Sequence, residues 1–369
     1  MVSHAGSRLL ADVAERTGLG AELSAALAPM VKRRRRHAPG DVLVDLAVTL
    51  ADGGECVSDL KVLRDQADLF GAVASQPTAW RVLDGIDDDL LAALQKGRAA
   101  ARARVWAAGL APEKITLDFD ATLVNLHSEK KEAAPTYERG FGYHPLLVFC
   151  DETSEALAAK LRPGGAGANT AAHHVELLDA AIAQLPVTTT ATDPAAGVKV
   201  LVRADTAGAT HGFTDAIAAR GFEFSIGYDI TESVRLAILD VPADAWQIPM
   251  TQEMEDRDGA GVTEITERLD LSGWPAGTRV IGRREEPHVG AQFNLFEPDG
   301  WRHQCFITNS ADSDIIYLEA RHRGHARVED HIKEAKDTGL LRFPGHDFAS
   351  NAAWLVVVGI AQDLQAWAQ

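Results

Sequence analysis

Lys114-Ile-Thr-Leu-Asp-Phe-Asp-Ala-Thr122 reads as a β-strand that carries two carboxylates on one edge. Ile115, Leu117 and Phe119 alternate with Thr116, Asp118, Asp120 and Thr122, and a period of two sends the apolar set to one face and both acids to the other. Like charges side by side on a half-buried sheet repel and are poorly solvated, so the arrangement calls for a cation beside them. The bland alternative is a solvated polar face.

Around this strand the composition is that of an ordinary globular protein: 369 residues, 46% hydrophobic and 24% charged, enough for two or more folding units around a large core. The apolar run Trp354-Leu-Val-Val-Val-Gly-Ile-Ala361 is too short for a membrane span, and Met1-Val-Ser-His-Ala5 lacks the apolar heart of a signal peptide, so the sequence predicts a cytoplasmic protein. Cys56, Cys150 and Cys305 lie far apart, which excludes a cysteine zinc motif and gives no disulfide framework. A net charge of -17 argues against wholesale polyanion binding but leaves room for a local basic site.

Upstream of the strand the chain reads as helical and rich in Ala and Leu, beginning with Ser7 to Thr17 and a Gly18 stop. The basic run Lys32-Arg-Arg-Arg-Arg-His37 has two readings, a phosphate-contacting loop or a solvated charge run. Further helices are expected over Ser58 to Phe70 and Thr78 to Leu83, and the basic stretch Lys96 to Trp106 leads into the acidic strand.

Downstream, His144-Pro-Leu-Leu-Val-Phe-Cys-Asp151 is a continuous apolar run expected as a central strand, with Cys150 in the core. Arg162-Pro-Gly-Gly-Ala-Gly-Ala-Asn169 reads as a turn, since no Lys-Ser/Thr follows to make a phosphate loop. A helix over Thr170 to Leu185 precedes the strand Val198 to Asp205, whose last residue sits where α/β sheets collect ligands, or else simply caps a helix. After the strand Phe222 to Tyr228 the pattern changes to short strands, Val280 to Arg284, Gln292 to Phe296 and Gln304 to Thr308, joined by turns such as Glu297-Pro-Asp-Gly300. A helix from about Gly324 to Thr338 carries Val328, Ile332 and Ala335 on one stripe and His325, Glu329, Lys333 and Lys336 on another. The chain closes on an apolar helix, Phe348 to Gln369, whose abrupt end suggests truncation.

Asp120, Asp205 and Glu329, on separate elements, form a plausible site for two divalent metals, which about 4 Å apart serve an in-line displacement at a phosphodiester. Carboxylate donors suit Mg²⁺, with Mn²⁺ as a substitute.

At this point the chain resembles the DDE transposases of bacterial insertion sequences, in the group numbered 1380 among them. The resemblance spans nearly the whole chain through Leu117-Asp-Phe-Asp-Ala-Thr122, Pro135 to Leu146, Leu161-Arg-Pro-Gly164 with Asn169-Thr170, Val202-Arg-Ala-Asp205 and Arg327 to Leu340. It implies an α/β fold: a helical DNA-binding region over 1–108, a ribonuclease-H-like catalytic core over 109–230, a β-rich insertion over 231–313 before the last catalytic helix, and a C-terminal helical part of the core over 314–369.

It also implies metal-dependent cleavage of double-stranded DNA at the element's terminal inverted repeats and strand transfer to target DNA, by a homodimer with no membrane partner, associated with the nucleoid when bound. The catalytic and metal-holding acids would be Asp120, Asp205 and Glu329, with Asp118 in reserve for the first position and His325 and Lys336 in support. Lys336 falls where related enzymes place the last residue of a Tyr-Arg-Glu-Lys signature; its Tyr and Arg positions fall on His322 and His325, so Arg321, Arg323 and Arg327 are expected to share the phosphate-contacting role. DNA contacts are expected from Arg33, Arg34, Arg35, Arg36, Arg323, Arg327 and Lys333. Trp246, Trp274 and Trp301 are candidates to stack on a flipped base, against the plainer reading of packed or surface tryptophans.

Two alternatives stay open in the sequence. Family members are longer at both ends, so the chain can also be read as an inactive DNA-binding remnant. Asp118-Phe-Asp-Ala-Thr122 also resembles the Asp-x-Asp-x-Thr loop of haloacid-dehalogenase-like phosphatases, with Asp118 as nucleophile and Asp120 as acid and base, although no matching late acidic pair follows.

Overall fold

The computed structural model describes residues 4–31, 36–126, 129–186, 198–251, 253–287 and 300–369. Arg33, Arg34, Arg35, the expected strand Gln292 to Phe296 and most of the turn Glu297 to Gly300 lie outside the described residues.

One mixed eight-stranded sheet forms the frame. In chain order the strands are β1 (Ile115–Ala121), β2 (Val124–Asn125), β3 (Ala134–Pro135), β4 (Phe141–Tyr143), β5 (Leu146–Cys150), β6 (Glu155–Lys160), β7 (Val200–Ala204), β8 (Glu223–Tyr228), β9 (Ala260–Glu264), β10 (Arg279–Glu285) and β11 (Arg302–Thr308). The large sheet runs β6-β5-β1-β7-β8-β11-β10-β9, while β2, β4 and β3 make a small sheet beside it. β1, β5 and β6 form an antiparallel meander, and β7 and β8 join parallel on the other side of β1. The parallel crossovers are helical, as such connections require: Ala171–Ile182 precedes β7 and His211–Ala219 links β7 to β8.

Both faces of β1 are covered. Ile115, Leu117 and Phe119 are fully buried, and so is Asp118 on the opposite face. The expected short strands after residue 231 extend the same sheet, because β11 pairs with β8 and carries β10 and β9 outward.

The expected helix over Gly324 to Thr338 is present as the continuation of an earlier helix and changes pitch along its length. Ile315–Arg323 is followed by a tight turn at Gly324–Ala326, then by Arg327–Ala335 and a widened turn through Lys336–Leu340, where Gly339 adopts a positive φ of 100°. Its predicted apolar stripe holds: Val328, Ile332 and Ala335 are buried. Likewise the span Ser58 to Phe70 divides into short turns around Val57–Leu60, Lys61–Arg64 and Ala67–Phe70.

The N-terminal helices share their core with the sheet. One continuous cluster of buried residues reaches from Ala14 through Leu46, Leu94 and Phe149 to Leu364. At this junction Arg98 and Arg102, on the helix Asp88–Val105, are buried against Asp363 of the helix Phe348–Trp367, both at hydrogen-bonding distance (2.7 and 2.8 Å). Arg102 also pairs with Glu155 at 2.8 Å, whose carboxylate accepts from the indoles of Trp106 and Trp367. Among the described residues, no helix is long and apolar enough to cross a membrane.

Candidate functional site

The parallel register of β1 and β7 builds the site. Asp118 stands opposite Arg203 and Phe119 opposite Ala204, so one step further along both chains Asp120 comes level with Asp205, on strands about 4.8 Å apart. The period of two puts Asp118, Asp120, Arg203 and Asp205 on one face.

The two acids of β1 have different surroundings. Asp118 is fully buried and receives a forked pair from Arg203, Nε to Oδ1 at 2.8 Å and Nη2 to Oδ2 at 2.6 Å; His325 Nδ1 lies 2.9 Å from Oδ1. Arg203 Nη2 also reaches Asp151, 2.8 Å away. Asp118 is thus neutralised by its own protein. Asp120 is only partly buried, and its Oδ1 accepts from the Ala121 amide at 2.7 Å. Burial, then the charge of Asp205, push its carboxyl up to about 6; Glu329 adds to the rise, while the Ala121 amide and His325 oppose it.

Asp205 is exposed. Its side chain accepts from the Ala207 amide at 3.1 Å and caps the turn Thr206–Gly208, so the helix-cap reading describes one of its contacts. Glu329 lies on Arg327–Ala335 with its side chain exposed, one turn after His325. The negative charges of Asp205 and Glu329 are both felt at Asp120. Among the described residues, no three His, Cys, Asp or Glu side chains stand close enough together to form a ready metal cage.

The other predicted residues divide between bonded and open. Arg327 is forked onto Asp151, with Nε to Oδ1 at 2.7 Å. Arg323 donates to the Met250 carbonyl and stands 3.4 Å from Glu319. Lys333 and Arg36 are exposed, and Lys336 is half-buried. His322, at the Tyr position of the signature, stacks on Phe306 with ring centroids 4.3 Å apart and meets Ser225 Oγ at 2.9 Å; burial pushes its pKa well below the ordinary value, so it packs as a neutral ring. Trp246 and Trp301 each lie against the Arg284 guanidinium, at 4.4 and 4.5 Å, and Trp274 packs on His211 and Tyr228.

Sequence reasoning does not find Arg203, Asp151 or His174. Arg203 shows in the sequence as a polar position in the stretch Val202-Arg-Ala-Asp205, with no role attached; its place as the counter-charge of Asp118 depends on strand pairing. His174 stacks beside Phe119 and Phe213 beneath the acids.

Comparison with known proteins supplies an independent finding. A family model described as transposase DDE domain, group 1, matches residues 1–369. Among solved structures, the cryo-EM structure of a piggyBac transposase synaptic complex with hairpin DNA is similar at 10% identity and a TM-score of 0.47, covering 94% of this chain and 70% of that one. No curated protein matches the chain.

Proposed function

The chain belongs to the family of transposase DDE domains of group 1, and from that membership we propose that it cleaves and joins DNA through Asp120, Asp205 and Glu329. The observation that carries the reading is the register of β1 and β7, which brings Asp120 level with Asp205, together with the raised pKa of Asp120 in the field of Asp205 and Glu329. The meander β1-β5-β6 with β7 and β8 added parallel supports a ribonuclease-H-like core for this reaction, and the extension β9 to β11 fits an insertion before the helix of the third acid. Membership of the bacterial insertion-sequence group numbered 1380 is part of the same proposal.

The donor set suits a hard divalent cation. Asp120, Asp205 and Glu329 offer oxygen ligands, and a cation restores the charge that burial and mutual repulsion suppress at Asp120. When bound, two Mg²⁺ or Mn²⁺ ions neutralise charge on the attacking and leaving oxygens of a phosphodiester. Asp118 acts as a positioning residue: it holds Arg203 and His325 in place beside the cluster. Its engaged, buried oxygens also weigh against the phosphatase reading, which needs Asp118 as an open nucleophile. Lys333 and Lys336, on the helix of Glu329 and the turn that follows it, are placed to meet DNA phosphates. Double-stranded element ends and target DNA are the substrates in this reading, acted on by a homodimer in the bacterial cytoplasm.

The test is strand cleavage of a duplex carrying the element's own ends, with and without Mg²⁺, by the natural chain and by Asp205→Asn. Asparagine caps a helix about as well as aspartate, so the turn at Thr206–Gly208 survives while the charge is removed. Metal-dependent cleavage by the natural chain, abolished in the variant with DNA binding kept, is the expected result. Equal cleavage by both would remove Asp205 from the reaction.

A further inference from the structure

A cavity of about 520 Å³ opens at the starts of β1 and β7, the opposite end of these strands from Asp120 and Asp205. Six residues of extended chain separate Lys114 from Asp120, which is about 20 Å. Its wall carries Lys114, Lys199, Arg203, Arg321 and Arg327 against Asp151, Glu223 and Asp312, with Arg203 also held by Asp118, in a chain whose net charge is -17.

The acids are largely engaged. Asp151 is held between Arg203 and Arg327, and Glu223 pairs with Arg321. The three arginines are engaged by these same acids, and only the two lysines stand apart from the pairs. Arg321 pairs with Glu223 through Nη1 and lies over the Tyr317 ring, while its Nε and Nη2 are buried and have no hydrogen-bond partner among the described residues. Lys114 and Lys199 are exposed and lie at register-matched positions on neighbouring parallel strands: Ile115 pairs with Val200, and the Ile115 amide donates to the Lys199 carbonyl at 3.1 Å. Like charges in register on adjacent strands repel, and an anion seated between them removes that cost. Arg327, half exposed at the rim, is forked onto Asp151 at the edge of the same space.

We propose that this cavity is an anion site that takes a phosphate group of the DNA backbone at its Lys114 and Lys199 end, about 20 Å along β1 from Asp120. Its volume lies in the range of pockets that enclose small ligands, ample for one phosphodiester with its sugars. The lysine pair supplies point charges for a phosphate. A second hold on the backbone this far from the acids would fix the direction in which a duplex crosses the sheet. The assignment to DNA rests on the transposase reading; the anion site itself does not.

The experiment compares the natural chain with the double variant Lys114→Gln, Lys199→Gln, both exposed positions outside the acid cluster. Inorganic phosphate is expected to raise the melting temperature of the natural chain but not of the variant. The salt dependence of duplex binding, log Kd against log salt, is expected to flatten by about 0.9, the value for the one DNA phosphate that the variant no longer neutralises. Phosphate stabilisation unchanged by the substitutions overturns the site. Phosphate stabilisation abolished with an unchanged DNA slope marks a free-anion pocket and overturns the DNA assignment. A flattened slope beside cleavage that is indifferent to Asp205→Asn upholds this site while the carboxylate reading falls. Retained metal-dependent cleavage with an unaltered slope and unaltered phosphate effect does the reverse.

Discussion

Replacing Asp120 by Asn should make the metal-free protein more stable at neutral pH, an unusual result for a change inside a central strand. The carboxyl of Asp120 rises from an ordinary 3.8 to about 6 on folding, first through burial and then through Asp205. For an acid whose folded pKa is raised, the folded state resists ionisation. The penalty is absent below the unfolded value, grows as pH climbs from 3.8 to about 6, and is complete above that. At about 1.36 kcal/mol per pH unit the full penalty is about 3 kcal/mol, and about half of that at pH 5. Asn keeps the shape and can accept from the Ala121 amide, but carries no charge. Urea unfolding in the presence of a chelator should therefore show the variant more stable by about 2–3 kcal/mol at about pH 7.5, with the gap narrowing toward about pH 4. Added Mg²⁺ should raise the stability of the natural chain and leave Asp120→Asn nearly unmoved. A gap that is absent, reversed or independent of pH would refute the account of Asp120 as a carboxylate held in a repulsive, cation-seeking place.

Asp118→Asn should behave oppositely: it strips the forked partner from buried Arg203 and should lower stability by about 3 kcal/mol or more, seen as a lower urea midpoint with unchanged slope; a loss under about 1 kcal/mol would show that Asp151 alone satisfies Arg203. Asp363→Ala should cost about 3–5 kcal/mol, because Arg98 and Arg102 both lose their shared buried carboxylate. Trp106 and Trp367, joined to the same network through Glu155, report it by fluorescence, and a midpoint within error of the natural chain would disprove the network's role in holding the helices to the sheet.

The alternation in 115–121 is readable because the period of a strand is local: each residue's face follows from its neighbour's. The same holds for the buried stripe Val328, Ile332 and Ala335, whose spacing is the helical repeat. Strands β6 and β9 are not readable in this way. The Ala-rich Glu155–Lys160 is no stronger as a strand than as a helix by composition, and Ala260–Glu264 opens on Ala-Gly, which reads as a turn. The basic stretch Lys96 to Trp106 has the composition of a solvent-facing segment, yet Arg98 and Arg102 are among the most buried side chains. Charged residues are buried only when paired, and their partner Asp363 is 265 residues from Arg98.

The chain's own order of residues thus established an acidic strand, a second acid at the close of a later strand, a third on an amphipathic helix, and the family these pieces resemble. It could not say which of Asp118 and Asp120 is spent on structure, since both occupy the same face at the same spacing. That is resolved by the parallel docking of β7 against β1, which delivers Arg203 to Asp118 and Asp205 to Asp120. A cation supplied by the protein pairs with the first acid, and a second negative charge raises the pKa of the other. The difference is electrostatic and long-range in sequence, so it exists only once the sheet has formed.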